Sequence, residues 1–124
     1  MSEALRILLV DDEVPARERL REVLADCAQQ MPNVVVAEAA SGMQALGLIP
    51  DCGAQLALVD IHMPGMSGIE FARHLQVLEQ RPAVIFVTAH DQYAVQAFEV
   101  NAIDYLLKPV RAARLVADRK STRL

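Results

Sequence analysis

The sequence has no surplus of positive charge. Its 12 Lys and Arg stand against 16 Asp and Glu, giving a formal net charge of −4 and a pI near 5.3. A chain of this sign is poorly suited to gripping nucleic acid through phosphate neutralisation or to settling on an anionic membrane surface. It is also short of cysteine. Cys27 and Cys52 are too few for a disulfide framework. Cys27 falls on the apolar face of a predicted helix, Cys52 in a loop-like Pro-Asp-Cys-Gly stretch, and both are expected as reduced, unpaired thiols. Long apolar runs are missing too. The longest, Ala83–Val87, falls far short of the ~20 residues a spanning helix needs. The first six residues, Met1 to Arg6, have no basic start followed by an apolar segment, so no secretory signal is expected and the cytoplasm is the expected location. Internal repeats and low-complexity stretches are absent.

What is present suits one domain with a full core: 124 residues, 53% hydrophobic and 23% charged. Strand-like and helix-like segments alternate. Ile7–Val10, Asn33–Ala37, Gln55–Val59, Ala83–Thr88 and Ile103–Leu107 read as strands. Their mostly continuous apolar character predicts a sheet buried on both faces, and therefore parallel. Between them, Ala16, Leu20, Val23, Leu24 and Cys27 recur at helical spacing behind Pro15. Ser41–Gln44 and Ser67–Glu70 have capping-box form ahead of Ala45, Leu46, Ile49 and of Ala72, Leu75, Leu78. Asp91 is placed to cap a helix carrying Tyr93, Ala94, Ala97 and Phe98. Val110, Ala113, Leu115 and Val116 follow Pro109 in the last helical segment. Strand then helix, five times over, predicts an α/β three-layer sandwich with helices on both faces of a five-stranded sheet. In such folds ligands bind at the carboxyl ends of the strands.

Those ends carry chemistry. The first strand stops at Asp11-Asp12, with Glu13 next; the third stops at Asp60; the fourth ends in Thr88; Lys108-Pro109 follows the fifth. Each feature alone has an ordinary use. An Asp pair after a strand is commonly a solvated loop or a helix cap, a single Asp a turn residue, a terminal Thr a strand former, and Lys-Pro a surface dipeptide. Their joint occurrence on one edge is what points to function. Clustered carboxylates repel unless a cation neutralises them, and oxygen-only ligands beside phosphate chemistry suit Mg²⁺. A lysine and a hydroxyl supply the charge and the donor that a phosphoryl group needs, and a carboxylate can serve as the nucleophile.

The runs Leu8–Glu13, Leu58–Gly68, Val87–Ala89 and Tyr105–Pro109, in this order and spacing, resemble the receiver domain of bacterial two-component response regulators over almost the whole chain. The resemblance implies a flavodoxin-like (βα)5 fold with strand order 2-1-3-4-5, a receiver over residues 1–118 and a tail or linker over 119–124. It implies that Asp60 is the phosphoacceptor. Asp11 and Asp12 would be the acidic pair holding Mg²⁺, together with Asp60 and the backbone carbonyl of His62. Thr88 and Lys108 would contact the phosphoryl oxygens, with the bond before Pro109 cis so as to aim the lysine. The donor would be a phosphohistidine on a sensor histidine kinase. The domain would be a switch and not a turnover enzyme, limited to its own phosphorylation and slow dephosphorylation. Thr88 and Tyr105 would be the switch residues that relay the change to the face of the fourth helix, fifth strand and fifth helix, where a homodimer is expected.

Thr88–Phe98 and Ala102–Val110 are more particular, and resemble the receivers of LytTR/AlgR-type transcription regulators. Those carry a DNA-binding domain that has no counterpart in these 124 residues, so contact with DNA is expected only through such a missing domain, and none with membranes. The chain would be a receiver separated from a longer regulator, or a naturally shortened one. Three other readings are weaker. An aspartyl-nucleophile phosphatase resembling the haloacid dehalogenases wants a second aspartate where His62 stands. A phosphorylation-independent binding module would be expected to have lost the acidic pair, the acceptor or the lysine. A flavin binder wants a Ser/Thr/Gly-rich phosphate loop where Asp11-Asp12-Glu13 would repel one.

Overall fold

A computed structural model describes residues 3–121. Five strands, β1 (Leu5–Val10), β2 (Asn33–Ala39), β3 (Leu56–Val59), β4 (Ala83–Thr88) and β5 (Asp104–Leu107), alternate with five helices. These are α1 (Val14–Asp26), α2 (Gly42–Cys52), α3 (Gly68–Gln76), α4 (Ala94–Glu99) and α5 (Ala112–Ser121). Every strand pair is parallel and the sheet order is β2-β1-β3-β4-β5. The strands come from runs whose alternate residues feed two cores. Ile7, Leu9, Leu56, Leu58, Ile85 and Val87 face α1 and α5, beside Leu20, Leu24 and Leu115. Leu8, Val10, Ala57, Val59, Val84 and Phe86 face the opposite side, beside Ala45, Phe71 and Leu75. With period 2 along each strand and helices on both faces, no position of β1, β3 or β4 is exposed, whereas the edge strands β2 and β5 expose Val34 and Leu107. The first three strands therefore end together, with Asp11 and Asp60 just beyond.

Several local expectations are revised. The predicted Asp91 cap is not made: α4 starts at Ala94, and Tyr93 occupies the cap position without a side-chain capping bond. Phe98, carried by this helix as expected in sequence, is 83% exposed. Ala97 and Val100 are the residues that face the core, which turns Phe98, about 100° further round the helix, toward solvent. Ala113 is exposed, and Ala112 packs against the core in its place. Cys52 is not in a loop: α2 runs through Pro50 to Cys52 and stops at Gly53 in the left-handed region. Ser67 and Glu70 form the complete capping box. At α2 only half of it forms: Ser41 accepts from the Gln44 amide, while Gln44 Oε1 accepts from Ala40 N–H and not from Ser41. Helix α5 continues through Arg119 and Lys120 to Ser121, and residues 122–124 of the expected tail lie outside the described residues.

Candidate functional site

The site is built where β1 and β3 run out. Asp11 is 1% exposed and yet fully engaged. Its Oδ1 accepts from Glu13 N–H at 3.0 Å, closing the turn into α1, and its Oδ2 accepts from Lys108 Nζ at 3.0 Å. Arg17 in the first turns of α1 donates to the Asp11 carbonyl at 2.6 Å and to Glu38 on β2 at 3.0 Å, tying this corner together. Asp60 is 7% exposed, and its Oδ2 lies 3.3 Å from the same Lys108 ammonium. Asp12 completes the group: one carboxylate oxygen from each of Asp11, Asp12 and Asp60 falls within 4.8 Å of the others.

The electrostatics follow from this crowding. Burial raises the Asp60 carboxyl above its ordinary value; the Lys108 charge pulls it back and the Asp11 charge pushes it up again. Burial alone would lower Lys108, but the bond to Asp11 and the charges of Asp60 and Asp11 outweigh it, so the ammonium is held more firmly than usual. Three carboxylates thus face one ammonium, leaving two formal negative charges. An all-oxygen donor set with that deficit fits a hard divalent cation.

The remaining expected residues are distributed around this group. Thr88 ends β4, is fully buried, and its hydroxyl accepts from His90 N–H at 3.3 Å. The Lys108–Pro109 bond is cis. The His62 ring has other partners: its Nε2 pairs with Tyr93 OH at 2.7 Å, and the ring lies 4.1 Å, centroid to centroid, from His90. Tyr105 OH donates to the His90 carbonyl and accepts from Tyr93 N–H at 3.2 Å, which ties β5 to the β4–α4 connection.

Sequence reasoning missed two supports. Nothing in the spacing singles out Arg17; the β1–β2 pairing puts Glu38 within its reach. Gly68 read as part of a cap, yet a Cβ there would overlap the Asp60 carbonyl and stand 2.9 Å from Ile61 Cα. The glycine lets α3 start directly against the Asp60–Ile61 segment, where its N–H donates to the Ile61 carbonyl at 2.9 Å.

A five-stranded parallel sheet in this order, with the acidic group and a lysine at its carboxyl edge, defines a receiver domain, and residues 7–119 match the family model for the response regulator receiver domain. The chain belongs to that family, and it is a two-component signalling domain. It is similar to the positive alginate biosynthesis regulatory protein of Pseudomonas aeruginosa, at 42% identity over 120 residues, 96% of this chain and 48% of that protein. It is also similar to the transcriptional regulatory protein BtsR of Escherichia coli, at 40% over 111 residues, 90% of this chain and 45% of that protein. The chain spans about half the length of these relatives. Among solved structures, the receiver domain of the response regulator NarL from Mycobacterium tuberculosis superposes with a TM-score of 0.84 at 31% identity, covering 97% of this chain and 96% of that one. A CheY-like receiver from Methanospirillum hungatei gives 0.80 at 27%, covering 96% and 93%. Among the described residues, no helix is long and apolar enough to cross a membrane.

Proposed function

We propose that this receiver is a phosphorylation switch whose Asp60 accepts a phosphoryl group from the phosphohistidine of a sensor histidine kinase. The observation that carries the reading is Lys108, bridging Asp11 and Asp60 within a carboxylate group left two charges short of neutral. Asp60 attacks phosphorus through a carboxylate oxygen, the bond to the donor imidazole breaks, and an acyl phosphate forms. Lys108 exchanges part of its contact with the carboxylates for a phosphoryl oxygen, and the Thr88 hydroxyl donates to another. Asp11, Asp12, Asp60 and the His62 carbonyl would hold Mg²⁺, which when bound supplies the positive charge that offsets the incoming phosphoryl group. Hydrolysis of the acyl phosphate resets the switch, so the domain turns over no separate substrate.

The output is transcriptional, through a LytTR-type DNA-binding domain beyond this chain. Support comes from the naming of its relatives as an alginate biosynthesis regulator and a transcriptional regulator. Drawing of Thr88 toward the phosphoryl group releases the His90 amide, and with it the loop that Tyr105 holds. The affected face already exposes Val95, Phe98 and Leu107, which suits a homodimer formed through α4, β5 and α5. Intact mass after incubation with acetyl phosphate and Mg²⁺ tests the reading. The expected result is a gain of one phosphoryl group, lost in Asp60→Asn and lost without Mg²⁺. No gain in the wild-type chain would leave a phosphorylation-independent binding module as the better account.

A further inference from the structure

A second pair of acids lies away from the acceptor site, between β5 and α5. Asp104 is the first residue of β5; Arg114 on α5 donates to it, and Asp118, one turn further along the same face of α5, interacts with the same carboxyl group. Two ionised carboxylates cannot share a hydrogen bond, because neither has a proton to donate. Arg114 does not resolve the conflict. Its Nε and Nη2 both go to Asp104, at 3.0 and 2.9 Å. Asp104 Oδ1 also accepts from Tyr105 N–H at 2.7 Å. Asp118 Oδ2 is buried and has no partner. A buried acceptor left this way is costly, but a protonated Asp118 would donate to Asp104, and the contact between the two carboxyl groups would become attractive.

We propose that Asp104 and Asp118 share one proton, and that this proton latches α5 to β5 so that its loss loosens the helix on the output face. The charges acting on Asp118 are Asp104 from β5 and Arg114 from its own helix; among the described residues, none from β4, α1 or α4 acts on it. Burial, then the bond to and the charge of Asp104, push Asp118 up to about 7 against the pull of Arg114. Burial alone would raise Asp104 as well, but the Asp118 bond, the Tyr105 amide and Arg114 hold it below its ordinary value. The signs are opposite. Folded Asp118 keeps a proton between 3.8 and about 7 that the unfolded chain has lost, so its contribution to stability falls as pH rises through that window. The contribution of Asp104 is present above 3.8 and is lost only as the pH falls through its depressed value. Because Asp104 also holds the Tyr105 amide, the latch adjoins the residue that ties β5 to the β4–α4 connection.

The test is a ¹³C NMR titration of the aspartate carboxyl groups in the 124-residue chain, with amide exchange across 112–121 corrected for its intrinsic pH dependence. The expected outcome is a shift of the Asp118 midpoint from 3.8 to about 7, with loss of α5 protection as that proton leaves. Asp104→Asn should return the midpoint toward its ordinary value. Asp118→Asn, which keeps a donor toward Asp104, should make α5 protection independent of pH from 5 to 8. A wild-type Asp118 midpoint near the ordinary carboxylate value overturns the proposal even if neither variant folds. So does α5 protection that follows the same pH course in Asp118→Asn as in the wild-type chain.

Discussion

Two places in this domain bring two buried or half-buried carboxylates together with one cation, and they handle the repulsion differently. At the carboxyl edge of the sheet, Lys108 stands between Asp11 and Asp60 and contacts both, at 3.0 and 3.3 Å. Between β5 and α5, Arg114 commits both of its bonds to Asp104 and leaves an oxygen of Asp118 unpartnered. The lysine is a compact charge on a flexible stem, able to divide itself between two acids and later to turn to a third anion. The guanidinium is a planar fork that fits one carboxylate at a time. The first arrangement, with Asp12 added, still lacks positive charge and suits a divalent ion and a phosphoryl group. The second lacks only one unit, which a single proton supplies.

Metal addition separates the two pairs most sharply. A divalent ion that binds only the folded edge should stabilise the chain by about 2.7 kcal/mol at a hundred times its Kd. Chemical unfolding with and without Mg²⁺ measures this. Asp12→Asn should lose most of the gain, whereas Asp104→Asn should keep it all, since Asp104 belongs to the other pair. An equal loss in both variants would mean that the ion is not held at the strand ends.

Next in size is the backbone under Asp60. Gly68→Ala forces a methyl into the Asp60–Ile61 backbone, and overpacking of this kind costs roughly 1–3 kcal/mol. The unfolding midpoint in urea should fall accordingly. Phosphoryl uptake should drop with it, because the strained segment carries Asp60. The Asp118 titration should stay where it is. A Gly68→Ala chain with unchanged stability and uptake would show that α3 has room to move off the Asp60–Ile61 segment.

The contrast also explains what could be read beforehand. The acidic edge was legible because it depends on where strands stop, and Leu8–Val10 and Leu58–Val59 are apolar runs halted by Asp11 and Asp60. The parallel order then brings those ends together without any knowledge of side-chain packing. The β5–α5 pair was not legible. Asp104 and Asp118 are 14 positions apart on different elements, and their meeting depends on the rotation of α5, which Ala112, Leu115 and Val116 set by packing. The Asp91 cap was misjudged for a related reason. In a helix of six residues a small shift in the start changes which side chains face the core, and the cap position falls at Tyr93 instead of Asp91. Arg17 and Gly68 needed contacts between elements that no spacing along the chain encodes.

Phe98 supplies the smallest expected effect on the fold and the clearest on assembly. It is 83% exposed and shares the outer side of α4 with Val95, three residues earlier and 68% exposed. Neither side chain contributes to the buried cores, so Phe98→Ser should change unfolding free energy by no more than about 0.5 kcal/mol. It should also leave the acetyl phosphate reaction intact, because Phe98 is no part of the Asp11–Asp12–Asp60 group. If the phosphorylated domain pairs through α4, β5 and α5, the same substitution removes the largest apolar side chain from that contact. Sedimentation of the phosphorylated chain should then show a dimer for the wild type and a monomer for Phe98→Ser. A variant that dimerises as well as the wild type would move the interface off α4, leaving the exposed Val95–Phe98 stripe to contact a different surface.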